Sequence, residues 1–246
     1  MFGRGSLTRY SLASLAMVVA LGACAAPQEE NADEESAETE DAIIGGVETF
    51  NNPAVGVTTL DGATGCSATL VSPNVIMLAG HCFPAGGTTI APWKFEIRKS
   101  ADRATWYQYD TAEGFVPLAR NAGGDDVALL RLAQSVPASV ATPIPLAKGW
   151  PSWGTWLEAV GFGCNTRDGS GAGQGVKRTA SFRYTPAWDL GAVSRVTCPG
   201  DSGGALLGHG PVLLGNLSGF TGAGYDLYGD AVRHRAILQA QIDAWR

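Results

Sequence analysis

Short runs rich in β-branched and aromatic residues, each closed by Gly, Pro, Asn or Asp, recur along most of this 246-residue chain. They fall at 54–60, 67–71, 75–78, 93–98, 105–109, 127–132, 155–161, 176–184, 204–207 and 212–217. Runs of that length, punctuated by turn residues, predict strands, and this many of them confine the chain to an all-β antiparallel barrel or sandwich. Only the C-terminus reads as helix: Asp230 can cap a segment in which Val232, Ala236, Ile237 and Ala240 share one face. The thirty glycines of residues 43–246 fit turns better than a helical bundle. The glycine-rich stretch 168–175 is expected to be a surface loop, because a phosphate cradle would need a following helix.

Charge divides the chain. Residues 1–42 carry Arg4 and Arg9 against eight acids between Glu29 and Asp41, whereas residues 43–246 hold fifteen Lys/Arg and fifteen Asp/Glu. A neutral body lacks the basic balance for nucleic acid. With 45% hydrophobic and 16% charged residues, the chain can bury a sizeable core, and a barrel protein of this length can be one domain.

Arg4 and Arg9 precede an apolar stretch, Ser11 to Leu21, too short to span a bilayer comfortably. This is the pattern of an export signal over residues 1–23. Leu21-Gly22-Ala23-Cys24 resembles the lipobox of bacterial lipoproteins, which implies cleavage before Cys24 and a lipid on that cysteine. Ala23-Cys24-Ala25 equally fits ordinary signal cleavage after Ala25. Residues 24–42, acidic and without an aromatic residue, are expected to be a disordered tether or pro-segment. The chain is thus expected outside the cytoplasm, anchored to the cell envelope by lipid or secreted after release.

Four separated segments carry the chemistry: Ile43-Ile44-Gly45-Gly46, Leu78-Ala79-Gly80-His81-Cys82, Asp126-Val127-Ala128-Leu129-Leu130 and Cys198-Pro199-Gly200-Asp201-Ser202-Gly203-Gly204. In that order, and over nearly all of 43–246, they resemble the chymotrypsin-like (trypsin-fold) serine peptidases. Gly80 and Leu78 depart from the residues usual there, without removing a reactive group. The resemblance implies two six-stranded antiparallel β-barrels, a C-terminal helix, and a catalytic cleft between the barrels. It also implies a triad of His81, Asp126 and Ser202. A serine hydroxyl is a weak nucleophile and needs a neighbouring base; of the three histidines, His81, His209 and His234, only the first has the family's setting. His209 reads as a loop residue and His234 as a helix-surface residue. Asp125 competes with Asp126, but the family's aspartate directly precedes the apolar strand. Gly200 and Ser202 would supply the backbone donors of an oxyanion hole.

Gly200-x-Ser202-x-Gly204 also matches the nucleophile elbow of α/β-hydrolases, with Asp226 or Asp230 and then His234 downstream. That fold needs a helix after the serine, whereas Ala205-Leu206-Leu207 reads as strand. A binding protein that keeps the fold without activity is the alternative of a different class.

If Cys24 is lipidated, Cys66, Cys82, Cys164 and Cys198 remain, with three possible pairings. The resemblance implies Cys66–Cys82, closing a loop worth about 3 kcal/mol on a chain-entropy model. Cys198 usually pairs downstream in this family; no cysteine follows it here, so Cys164 is its expected partner. The family further implies activation by cleavage between Ala42 and Ile43, after which the new ammonium pairs with Asp201, so an activating protease is an expected partner. Its pocket positions are Val196 at the floor, Ser218, Gly219 and Phe220 along one wall, and Asp226 near the base. Valine at 196 and Phe220 favour small or medium apolar residues before the scissile bond; Asp226 keeps a basic preference open. A protein or peptide substrate is implied, and neither cofactor nor metal is required.

Overall fold

The computed structural model describes residues 43, 46–84, 93–118, 120, 123–166, 173–184, 193–194, 197–221 and 225–246. The expected leader and tether with Cys24, the loop residues 168–172, and Val196 lie outside the described residues. After the two-residue strand β1 (Val47–Glu48), six strands close a barrel: β2 (Val55–Leu60), β3 (Ala63–Ser72), β4 (Val75–Leu78), β5 (Lys94–Arg98), β6 (Trp106–Phe115) and β7 (Ala128–Leu132), in the order β2-β3-β4-β7-β6-β5. The β2–β3 hairpin turns at Asp61-Gly62, with φ of 50° and 82°. Such a pair of positive φ values matches the right-handed twist of the strands, and Asp-Gly is a sequence suited to it. Gly56 sits where β2 and β5 close in on each other: a Cβ there would lie 2.6 Å from the Phe95 ring and 2.4 Å from the Glu96 carbonyl oxygen.

The second half supplies β8 (Trp156–Gly161), β9 (Arg178–Arg183), β10 (Val193–Ser194), β11 (Ala205–Gly208), β12 (Val212–Phe220) and β13 (Tyr225–Asp230). They form the sheet β9-β8-β11-β12-β13-β10, six strands as expected, with β1 added outside β9. All strand pairings in both sheets are antiparallel. Each of the ten predicted runs overlaps a strand. Three strands were not legible as runs. β1 and β10 have two residues each, and β13 buries Asp226, Tyr228 and Asp230, so its inward face is polar where a strand pattern expects apolar residues.

The C-terminal helix α1 (Arg235–Ala244) begins five residues after Asp230, not directly behind it. Asp230 instead ends β13 and accepts from the Arg233 N–H at 2.8 Å, closing the turn before the helix. The buried face also differs from expectation. Leu238 and Ile242, one turn apart, pack into the core, while Ala236, Ile237 and Ala240 are exposed. Both buried residues belong to a core cluster made up largely of first-barrel residues, and Asn74 donates to the Trp245 carbonyl at 2.8 Å. The last segment of the chain therefore ties the second barrel back to the first.

Candidate active site

His81 is delivered by a 3₁₀ turn, Gly80–Cys82, at the end of the wholly buried strand β4. Cys82 is disulfide-bonded to Cys66 on β3, so the turn is braced against its own barrel. Two residues ahead of β7 stands Asp126, whose side chain is 0% exposed. One carboxylate oxygen accepts from the His81 backbone N–H at 2.8 Å, and the other lies 2.6 Å from His81 Nδ1 and 2.6 Å from Ser218 Oγ. A buried carboxylate needs such donors to offset its lost hydration. Because Nδ1 donates to Asp126, Nε2 is the acceptor nitrogen of a neutral ring. Ser202 Oγ lies 2.9 Å from it, well placed to give up its proton.

Ser202 stands in a loop from the second half of the chain. Gly200 (φ 97°) and Gly203 (φ 80°) adopt the left-handed conformation, and a Cβ on Gly203 would come within 2.1 Å of the Ser67 carbonyl oxygen. The second disulfide, Cys164–Cys198, anchors the entry to this loop. Among the described residues, neither the Gly200 nor the Ser202 N–H donates to a protein acceptor. Two free donors beside a nucleophile can stabilise an oxyanion.

Asp201, 1% exposed, turns inward from the same loop and accepts from the N–H groups of Gly163 at 2.6 Å and Cys198 at 2.9 Å. The buried side chain of Ile43 lines the same small space, together with Thr197 and Tyr228. Burial, opposed by those two N–H groups, pushes the Asp201 carboxyl up to about 7. Tyr228 is driven upward too, by burial and by the charges of Asp226 and Asp201.

Asp125, the competing candidate, faces away from His81. It pairs with His234 at 2.9 Å and Arg233 at 3.5 Å, so His234 is a half-buried partner of Asp125 and not a free helix-surface residue. His209 is exposed in the turn between β11 and β12. Ser202 leads into strand β11, without the helix that an α/β-hydrolase elbow needs. Cys66, His81 and Cys82 cluster closely enough for a metal, but the disulfide removes both thiolates.

On the pocket side, Ser218 is buried, Phe220 is 41% exposed, and Gly219 lies between them on β12. Asp226 pairs in register with Phe220, is 0% exposed, and accepts a hydrogen bond from the Thr197 hydroxyl. Sequence reasoning missed two supports of Asp126. Ser218 was legible only as a pocket residue, yet its hydroxyl donates to the carboxylate. Asn216 donates to the Asp126 carbonyl at 3.1 Å. The signal for Asn216 was a buried amide inside the apolar run Val212 to Leu217.

Two antiparallel β-barrels, with His81 and Asp126 on the first and Ser202 on the second, define a protein of the trypsin-like fold. The chain belongs to the trypsin family, whose model matches residues 43–236. Among solved structures it is similar to neuropsin, a serine protease expressed in the limbic system of mouse brain, with a TM-score of 0.66 and 19% identity over 80% of this chain and 98% of that one. Human heparin binding protein is similar at a TM-score of 0.65 and 20% identity, over 80% of this chain and 95% of that one. No curated protein matches the sequence.

A pH dependence follows from Asp201. Its folded-state value lies near 7 against an ordinary 3.8, so folding favours the neutral carboxyl; this contribution is full below 3.8 and lost as pH rises through about 7. Over that whole range the loss in the full-length chain should reach about 4 kcal/mol. About 3 kcal/mol of this is lost between pH 5 and pH 8, so urea midpoints at those pH values should differ accordingly for the full-length protein and coincide for Asp201→Asn.

Proposed function

We propose that residues 43–246 form a serine endopeptidase that hydrolyses peptide bonds through an acyl-enzyme. The unbroken chain of hydrogen bonds from Asp126 through His81 to Ser202 carries this reading. Ser202 Oγ attacks the scissile carbonyl while His81 Nε2 accepts its proton. Asp126 holds the ring in the required tautomer and stabilises the imidazolium. The carbonyl oxygen, now negative, is met by the N–H groups of Gly200 and Ser202; one such donor typically contributes about 2.7–4 kcal/mol. His81 then protonates the leaving amine, and water releases the acyl group by the reverse route.

The protein is made as a precursor. Residues 1–23 are the export signal, with a lipid on Cys24, and residues 24–42 are a tether to the membrane. Cleavage between Ala42 and Ile43 frees an ammonium that pairs with Asp201. A buried carboxyl raised by desolvation, with Ile43 lining its own cavity, supports that partnership. The cut separates the catalytic domain from the lipid, and neither disulfide crosses it. Because the bond follows Ala42, an activator that cuts after Lys or Arg is unsuited, whereas self-processing is compatible with the pocket.

The pocket assigned by family resemblance to Val196, Ser218, Gly219 and Phe220 suits small or medium apolar side chains. Asp226 is fully covered and already bonded by Thr197, which withdraws it from a substrate cation. A basic preference through Asp226 is the second reading, favoured by the same buried carboxylate if a substrate ammonium displaces Thr197.

Three outcomes are expected. Ser202→Ala abolishes both hydrolysis and labelling by a fluorophosphonate, and Asp126→Asn lowers kcat by ~10⁴, the loss already known for this change in the family; Asp125→Asn retains activity. Absence of labelling in the mature wild type would leave a silent binding homologue. Edman sequencing of active material begins at Ile43, and activity fades at alkaline pH as the amine, ordinarily near ~8 and raised by its partner, deprotonates. Chromogenic peptides ending in Ala or Leu are cleaved faster than those ending in Phe or Arg; dominant Arg cleavage that vanishes in Asp226→Gly reverses the assignment.

A further inference from the structure

A cavity of about 810 Å³ lies next to the serine loop, on the side of the first barrel. Its wall reaches that loop through Gln174, whose side-chain nitrogen is 2.7 Å from where a Cβ on Gly200 would stand. The rest of the wall includes Glu96, Arg98, Arg103, Trp106 and Lys177.

The charges in this wall do not balance. Glu96, 4% exposed, accepts from Arg98 Nε at 2.6 Å and from Gln108 at 2.7 Å, so its charge is matched by Arg98. Lys177 is 3% exposed, and its ammonium donates to the carbonyls of Asn51 at 3.3 Å and Asn52 at 3.1 Å. Among the described residues no carboxylate forms an ion pair with it. Burial first, and then the charge of Arg98, lowers its pKa to about 8. Glu48, at the rim, pairs with Arg178 at 3.3 Å. Arg103 is exposed beside the Trp106 ring, its guanidinium 5.1 Å from the centroid, with Arg98 4.1 Å from the same centroid. Among the described residues two cations, one buried and one exposed, are thus left without a carboxylate around an open volume. An uncompensated buried cation is costly, and an anion entering the cavity would relieve it. The volume falls within the range of ligand sites and exceeds the need of a lone ion.

The position of the cavity gives it a direction. The serine loop is held between two strands: Gly203 N–H donates to the Leu217 carbonyl on β12 at 2.7 Å, and Ser67 Oγ on β3 donates to the Gly200 carbonyl at 3.1 Å. Substrate preceding the scissile bond follows Ser218, Gly219 and Phe220 on the β12 side. On the endopeptidase reading the chain after the bond leaves on the opposite side, over β3, where Thr64 lines the cavity.

We infer that this cavity is a second recognition site, which binds an acidic segment of the protein substrate on the leaving-group side of the scissile bond, with Lys177 and Arg103 meeting its carboxylates. The inference rests on the endopeptidase reading.

The test uses mature protein and internally quenched peptides that share one half up to an Ala at the cleaved bond. They differ in the second half, which carries either two Glu or two Gln at the third to fifth positions after the bond. The acidic peptide is expected to be favoured about tenfold in kcat/KM, mainly through KM, as one charge-assisted contact would give. The preference should shrink at high salt and fall toward unity in Lys177→Gln. Arg103→Ala, at an exposed position, covers the case in which the Lys177 variant fails to fold, and should reduce the same ratio. Equal cleavage of both peptides by the wild type, or a preference untouched by salt and by Arg103→Ala, overturns the inference. A chromogenic Ala substrate with no second half separates the two levels: if the wild type fails to cleave it, the endopeptidase reading itself falls.

Discussion

The Asp126 carboxylate is the interaction on which the arrangement depends. It sits at the junction of the two barrels, taking two hydrogen bonds from His81 on the first and one from Ser218 on the second. Asn216, also on β12, takes hold of its backbone carbonyl. A buried charge is costly unless its donors are fixed, so the same bonds that stabilise the carboxylate also fix the register of one barrel against the other. The 2.9 Å contact between His81 and Ser202 is then a consequence of the junction and not of either barrel alone.

The serine loop meets a different constraint. It must expose two N–H groups and turn Ser202 outward while Asp201 points into the interior, and this contortion is possible only with glycine at 200 and 203. Both ends of the loop are restrained, by the Cys164–Cys198 disulfide on one side and the Gly203–Leu217 hydrogen bond on the other. What remains unbalanced is charge: Asp201 is buried against backbone N–H groups, with its carboxyl held near neutrality by desolvation. A loop with such a group at its base is sensitive to any cation that reaches it, and in the proposed activation that cation is the ammonium freed at Ile43.

Ionic groups elsewhere, buried or half-exposed, are matched in different ways. Glu96 and Arg98 neutralise each other inside the first barrel's outer wall, and His234 and Arg233 attend Asp125 at the helix entry. Lys177 differs from these pairs: among the described residues it is buried against carbonyls with a like charge nearby. The contrast between satisfied and unsatisfied charges marks where this molecule holds itself together and where it is prepared for something else.

The sequence by itself determined the ten principal strands, because alternation and turn residues act locally, and the segments bearing His81, Asp126 and Ser202, because each is short and contiguous. It also carried both disulfides: Cys66–Cys82 through the family resemblance, and Cys164–Cys198 because no cysteine follows Cys198. Tertiary structure decided the rest. The helix start and its buried face depended on the first barrel's surface, so Leu238 and Ile242 went inward where local spacing had favoured Ile237. β13 escaped notice because its buried residues are polar, and their burial is tolerable only with partners such as Thr197 and the Arg233 N–H, which no local pattern encodes. Asp125 and Asp126 are adjacent in sequence and chemically identical. Only the fold, by turning one toward His81 and the other toward His234, gave them different surroundings, because the surroundings of a side chain are set by residues far away along the chain.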